Sequence, residues 1–387
     1  MSAIDELIAE LCPDGVEYRK LDEVCLIETG RLNAKAAVEN GTYCFFTTAE
    51  EISKIDTYRW DTEALLIAGN ANVGSVKHFK GKFEAYQRTY VLTQFVSDIQ
   101  PRYLYHYLEA HLKDYLADKS NSAAMTYIVL STLQDFPIPV PPIEVQREIV
   151  RILDTFAALT DTLTEELDCR RQQYAYYRDR LLSRESLEAL DDKPVEMKRL
   201  GDVVQFVNGR AYKKEELLDS GKYRGLSVGN FFTNDSWYFS NLELDEEKYC
   251  NDGDLLYAWS ASFGPKIWHG PKAIFHYHIW RIDFDDEVLD RNYLFHFLAN
   301  DAVDIRDSNS TTHSTMAHVS MAQMKKRMIF VPSIEAQQKV VDILDRFDAL
   351  TTSLTDGLPA EIEARRQQYE YYRASLLDFP RKEAAAS

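Results

Sequence analysis

The sequence predicts an α/β (α+β) protein: two similar mixed α/β globules separated by two long antiparallel coiled-coil helices, related by a pseudo-twofold axis. Three observations predict it. One motif occurs twice: Arg170-Arg171-Gln172-Gln173-Tyr174, then Tyr176-Tyr177-Arg178 and Leu181-Leu182, returns 195 residues later as Arg365-Arg366-Gln367-Gln368-Tyr369, Tyr371-Tyr372-Arg373 and Leu376-Leu377. The repetition spans the chain, at offsets that drift as loops diverge. Leu21, Val24, Gly30 and Arg31 match Leu200, Val203, Gly209 and Arg210 at 179 residues, and Ile143-Glu144, Gln146, Leu153-Asp154 and Phe156 match Ile334-Glu335, Gln337, Leu344-Asp345 and Phe347 at 191. Finally, each copy changes texture midway, from short β-branched and aromatic runs to apolar residues spaced three and four apart.

The elements follow in order. Residues 1–142 form the first globule, with runs such as Thr89-Tyr90-Val91-Leu92 broken by Gly, Asn and Asp, and a helical patch from Tyr103 to Leu116. Pro137, Pro139, Pro141 and Pro142 end it, because proline fixes φ and disfavours helix before it. Residues 143–194 hold the central helix, predicted from Val145 to Ser183, with a seam of Ile149, Ile152, Phe156, Leu159, Leu163 and Leu167. Residues 195–333 repeat the globule, with a helical patch from Tyr293 to Val303 and a hydroxyl-rich loop from Ser308 to Thr315. Residues 334–387 repeat the helix, with four extra residues around Asp356-Gly357-Leu358-Pro359, where it should stop and restart with Pro359 in the new first turn. Two copies only exclude a solenoid, whose period is roughly 20–50 residues.

Composition narrows the class. The 45% apolar and 27% charged fractions suit a globular protein. There is no apolar run of 18 residues, and the start, Met1-Ser2-Ala3-Ile4-Asp5, lacks the basic and apolar regions of a signal peptide, so a cytoplasmic location is expected. Five scattered cysteines without a C-x-x-C pair argue against a disulfide framework or zinc ribbon.

Catalytic patterns are weak. Gly69 to Ser75 has phosphate-loop spacing, but Ser75 stands where the lysine must be. Pro13-Asp14 with Glu17 and Lys20 has the wrong spacing for a nuclease carboxylate cluster, and Asp14-Gly15 reads as a turn. His269, His276 and His278 lack a nearby carboxylate or thiol and have no counterpart in the other copy, so no metal site is expected.

Positive charge, by contrast, is placed. The chain carries a formal net charge of −18, yet Leu255 to Ile282 has no acid, and Ala64 to Ser97 has only Glu84 against Lys77, Lys80, Lys82 and Arg88. Basic residues among aromatics, in the corresponding segment of both copies, suit a DNA-facing surface. The charge pattern nominates Lys77, His78, Lys80, Tyr86 and Arg88 in the first globule. In the second it nominates Lys266, Trp268, His269, Lys272, Tyr277 and His278, with Thr312 and His313.

Together, Pro137-Ile138-Pro139-Val140-Pro141, the run from Gln146 to Asp154, the paired Arg-Arg-Gln-Gln-Tyr-x-Tyr-Tyr-Arg blocks and the stretch from Glu335 to Leu377 resemble the specificity subunit of type I restriction-modification systems, over essentially the whole chain. The resemblance implies a non-catalytic subunit of a multisubunit adenine-N6 DNA methyltransferase and type I restriction endonuclease. It makes 1–142 and 195–333 target recognition domains, each reading half of a split asymmetric DNA site. The helices would set the spacing and dock two methyltransferase subunits through exposed positions around Arg170, Arg171, Tyr177, Arg365, Arg366 and Tyr372. S-adenosylmethionine, ATP and magnesium would sit on the modification subunits and on two restriction subunits, none on this chain. The alternative is a non-catalytic DNA-binding or antirestriction scaffold, which would need no diverged globules.

Overall fold

A computed structural model describes residues 3–119, 127–192, 194–232, 234, 236–260, 263–310, 319–353 and 356–382, and of 303–310 the backbone alone. The chain forms two compact units, Met1–Thr164 with Glu361–Ser387, and Glu165–Ala360.

The first unit is built on a six-stranded sheet, in the order Leu26–Thr29, Thr89–Thr93, Trp60–Ala68, Val76–Ala85, Tyr43–Phe46, Ser53–Ile55. Neighbours are antiparallel except Tyr43–Phe46, which runs parallel to Val76–Ala85. Successive residues of a strand face opposite sides, so the unbroken apolar run Ala64 to Ala68 is buried on both. Leu65, Ile67, Tyr90 and Leu92 join the core formed with the helix Pro101–Lys119. Ala64, Leu66 and Val91 join Phe46, Trp60 and Phe83 on the other face. Beside the sheet, Glu17–Lys20 pairs antiparallel with Pro137–Val140. A two-stranded ribbon has free edges, which is where prolines without an N–H are tolerated.

The helix Ile143–Leu181 follows, 39 residues long, or roughly 58 Å at 1.5 Å per residue. Its first turn is tied to the globule by Gln146, which is fully buried. Gln146 Nε2 donates to the carbonyls of Asp98 (2.7 Å) and Pro141 (2.8 Å), and its Oε1 accepts from the Gln100 amide at 2.9 Å. The C-terminal segment closes this unit. Leu376, Leu377 and Phe379 enter the core holding Ile149 and Leu153. The Val16 amide donates to Pro380 O, and the Lys382 amide to Val16 O, both at 2.9 Å. Gly15, with φ of +83°, is required there, since a Cβ would lie 2.3 Å from Pro380 O.

The second unit repeats the plan with one break. Glu196–Arg199 pairs with Met328–Val331. One sheet runs Val204–Asn208, Ile279–Phe284, Leu255–Ala258, Gly264–Ile267, and another Tyr238–Ser240, Tyr223–Leu226, Ala273–Phe275, Tyr249–Cys250. The first unit has one ten-residue strand, Val76–Ala85, where the second has two, Gly264–Ile267 and Ala273–Phe275. Pro271, unable to donate, and Gly270 at φ +159° interrupt it and split the sheet. Gln337 copies Gln146: it bonds to the carbonyls of Val288 and Pro332 (both 2.9 Å) and accepts from the Asp290 amide at 2.7 Å.

One expectation about helices is corrected and another holds. The helix Arg291–Ser310 runs past Val303 and takes in Ser308 to Ser310, expected as loop. The rest of that hydroxyl-rich run, including Thr312 and His313, lies outside the described residues. The C-terminal helix does stop, with Ile334–Thr352 and Leu358–Leu376 as separate helices and Pro359 in the first turn of the latter.

Candidate nucleic-acid interface

In the first unit the nominated residues line the strand Val76–Ala85 and the turn after it. Lys77 does not project as a free charge: its ammonium donates to the carbonyls of Ala49 (2.7 Å) and Glu50 (2.6 Å). Burial lowers its pKa, against the raising effect of Glu50. His78 is paired through Nε2 with Glu63 at 2.8 Å. Lys80 stays open, its side chain 78% exposed and 3.8 Å from Glu63. Arg88 is exposed at the turn and Tyr86 half-buried beside it.

In the second unit Trp268 corrects the charge-pattern reading. Its ring is 5% exposed in the core and its indole N–H donates to Pro271 O at 3.0 Å, so it supports the sheet rather than the surface. Lys266 donates to Phe231 O at 3.2 Å. Lys272 meets both oxygens of Glu246 at 2.7 Å, and this partner raises its pKa. His269 is exposed, 3.7 Å from Asp252. Tyr277 is exposed at a turn, flanked by the half-buried His276 and His278. Burial, then the neighbouring His278, lowers the pKa of His276. Trp259 braces this turn: its indole donates to Tyr277 O at 2.9 Å and its ring centroid lies 4.9 Å from that of His278.

The charge pattern did not nominate Gln87, His276 or Trp259, although His276 and Trp259 lie in the same acid-free stretch. The offset of 190 that matches Leu65-Leu66 to Leu255-Leu256 also sets Tyr86-Gln87-Arg88 against His276-Tyr277-His278, and could have found Gln87 and His276. Among the described residues, no group of three His, Cys, Asp or Glu side chains is placed to hold a metal ion. No described helix is long and apolar enough to cross a membrane.

The repeated helix motifs form matching surfaces. Arg170 bonds to Glu166 and, at 2.8 Å, to Gln173; Arg365 bonds to Glu361 and, at 2.8 Å, to Gln368. Arg171 and Arg366 lie 3.7 and 3.8 Å from Asp168 and Glu363. Tyr177 and Tyr372 lie over apolar neighbours, with ring centroids 5.7 Å from Phe347 and 5.1 Å from Phe156. Tyr176 and Tyr371 face outward, 58% and 69% exposed.

The described residues thus form two sheet-based units of one plan, each with its own exposed turn and each carrying one copy of the repeated helix motif. Residues 13–168 and 192–364 match the type I restriction modification DNA specificity domain, and the chain belongs to this family of type I specificity subunits, with two target recognition domains. It is 32% identical over 386 residues to a putative type I restriction enzyme specificity subunit of Haemophilus influenzae, covering 94% of this chain and 96% of that one. It is also 32% identical to the EcoR124I/EcoR124II specificity subunit of Escherichia coli, over 65% of each. Its fold is similar to the crystal structure of the type I S subunit from M. genitalium, with a TM-score of 0.62 at 16% identity, over 94% of this chain and 96% of that one. A chain solved in work on complex assembly of the type I system is similar too, with a TM-score of 0.58 at 14% identity, over 95% and 98%.

Proposed function

We propose that each unit reads one half of a split, asymmetric DNA target, and that the two helical segments set the gap and dock two methyltransferase subunits. One observation carries this reading. The units keep one backbone plan, down to the Gln146 and Gln337 ties, yet differ in the side chains their exposed turns present. A scaffold that bound DNA without regard to sequence would have no use for that difference, whereas two unlike half-sites require it.

The identical Arg-Arg-Gln-Gln-Tyr surfaces support docking of two copies of one partner, because equal surfaces select equal complements. Their outward aromatics, Tyr176 and Tyr371, are the anchors, with Arg170, Arg171, Arg365 and Arg366 around them. On this reading the chain carries no cofactor. S-adenosylmethionine belongs to the adenine-methylating partners, and ATP and magnesium to two further restriction subunits. The work of the complex is then in the cytoplasm, with the DNA.

The test is single-molecule sequencing of N6-methyladenine in cells expressing this chain with its modification subunit. A two-part asymmetric motif with a fixed unspecified gap is expected. Methylation at a continuous motif, or at no motif, would overturn the proposal.

A further inference from the structure

Both units hold one three-residue turn in the same backbone frame. In the first, Tyr86-Gln87-Arg88 joins Val76–Ala85 to Thr89–Thr93; in the second, His276-Tyr277-His278 joins Ala273–Phe275 to Ile279–Phe284. The Tyr86 amide donates to Phe46 O, and that of His276 to Leu226 O, both at 2.9 Å. The Gln87 amide donates to Leu32 O at 2.9 Å, and that of Tyr277 to Arg210 O at 3.1 Å. The carbonyls of Arg88 and His278 accept from the Gly69 and Trp259 amides at 2.8 and 3.0 Å. Each turn is closed by its own bond, Thr89 N–H to Tyr86 O at 2.8 Å and Ile279 N–H to His276 O at 2.9 Å.

A glycine passes beside each turn. A Cβ on Gly30 would lie 2.0 Å from Ala85 O, and one on Gly209 would lie 2.3 Å from Phe275 O, so neither position accepts a side chain. The frame is therefore fixed twice over, by matched hydrogen bonds and by a matched close approach. The adjoining strand is not constant in this way: continuous in one unit, it is broken in two in the other. Against the constant frame, the side chain differs at each of the three positions: Tyr86 against His276, Gln87 against Tyr277 and Arg88 against His278.

From a fixed frame carrying unlike side chains, of which Gln87, Arg88 and Tyr277 are exposed, we infer that this turn is the specificity-determining tripeptide of each unit: Tyr86-Gln87-Arg88 for one half-site and His276-Tyr277-His278 for the other. The inference rests on the half-site reading above and names the residues within it. The side chains suit the task. Arginine pairs with the O6 and N7 acceptors of guanine and glutamine with the N6 and N7 of adenine, so Gln87 and Arg88 select purines through the major groove. In the second turn the Nδ1 of His276 accepts from the His278 amide at 3.4 Å, and the turn rings, braced by Trp259, add apolar surface that fits a thymine methyl.

The experiment transplants one turn onto the other frame. The full chain carrying Tyr86→His, Gln87→Tyr and Arg88→His is expressed with its modification subunit, and the methylated sites are sequenced. The first half-site should change while the second half-site and the gap stay as they were. An unchanged first half-site at undiminished methylation overturns the inference. If the triple variant does not methylate, Gln87→Ala and Arg88→Ala decide, read by binding of the assembled complex to its own site against sites altered in the first half. Discrimination at one base position falling about 5- to 150-fold sustains the inference, matching the 1–3 kcal/mol of a bidentate base contact; discrimination unchanged in both variants overturns it. The unmutated chain separates the two levels. If it gives no split motif, the half-site reading itself fails, whereas a split motif indifferent to both turns refutes only the tripeptide.

Discussion

Lys77 and Lys80 lie three residues apart on one strand and do different work. Lys77 spends its charge on two backbone carbonyls and holds the turn at Ala49 and Glu50, while Lys80 stands in solvent. Lys77→Ala should therefore destabilise the fold by about 1–2 kcal/mol, the cost of losing charged hydrogen bonds at a partly buried site. Lys80→Ala should fall within about 0.5 kcal/mol of the parent. Chemical denaturation separates them, and equal midpoints would refute the assignment. His106 makes a pH prediction. It is 1% exposed and its Nε2 lies 2.9 Å from Asp154. Burial lowers its pKa below the ordinary 6.5, outweighing Asp154, which raises it; Arg102 and Arg373 lower it further. Burial would raise the pKa of Asp154, but hydrogen bonds from Arg102 and His106 lower it. The folded chain thus binds fewer protons than the unfolded chain, so this stability is whole above pH 6.5 and is lost as pH falls through the lowered value. His106→Gln should lose less stability than the parent between pH 7.5 and 5.5, and equal losses would exclude His106 as the titrating group.

At the scale of elements, the joints between globule and helix matter most. Gln146 and Gln337 each place one buried amide across three backbone groups, which converts a flexible junction into a fixed entry angle for the helix. Gln146→Leu keeps the volume and strands those groups, and should cost roughly 2–4 kcal/mol by the usual penalty for buried unsatisfied polar groups. Arg151→Ala, nearby on the same helix and 65% exposed, should cost under about 0.5 kcal/mol. Thermal unfolding of the two variants checks the contrast. The central helix shows why a seam alone underspecifies burial: Ile149 is fully buried, but Leu159, further along the same three-and-four seam, is 38% exposed.

Across the whole molecule, a net charge of −18 sits with lysines of which several are already committed to protein oxygens. Phosphate contacts need free positive charge. The chain alone should bind its target at least tenfold more weakly than the assembled complex at the same salt, and equal affinity by fluorescence anisotropy would refute the division of labour. The ruler is tested by insertion. Thr160-Asp161-Thr162-Leu163 and Thr164-Glu165-Glu166-Leu167 are two four-residue units, and the boundary between the compact units falls at Thr164. One more Thr-Glu-Glu-Leu after Leu167 adds about 6 Å of helix, against about 3.4 Å per base pair. The gap in the methylated motif should grow by a base pair or two with both half-sites unchanged; an unchanged gap would sink the spacer role.

What the sequence determined by itself was the plan that repetition and periodicity encode. The duplicated blocks, the proline stop before Ile143, the restart at Pro359 and the paired mixed globules are all local or periodic signals, and local signals survive without coordinates. The sequence also nominated a candidate surface, because stretches poor in acids are visible in a one-dimensional string. Tertiary structure alone decided which residues of that surface are available. Whether Lys77 reaches solvent depends on a carbonyl 27 residues away, and whether Trp268 is surface or core depends on the loop that splits its strand. The matched turns were decided there as well. Their identity lies in hydrogen bonds between distant backbone groups, which leave no trace in side-chain type except the two glycines that let the chains approach.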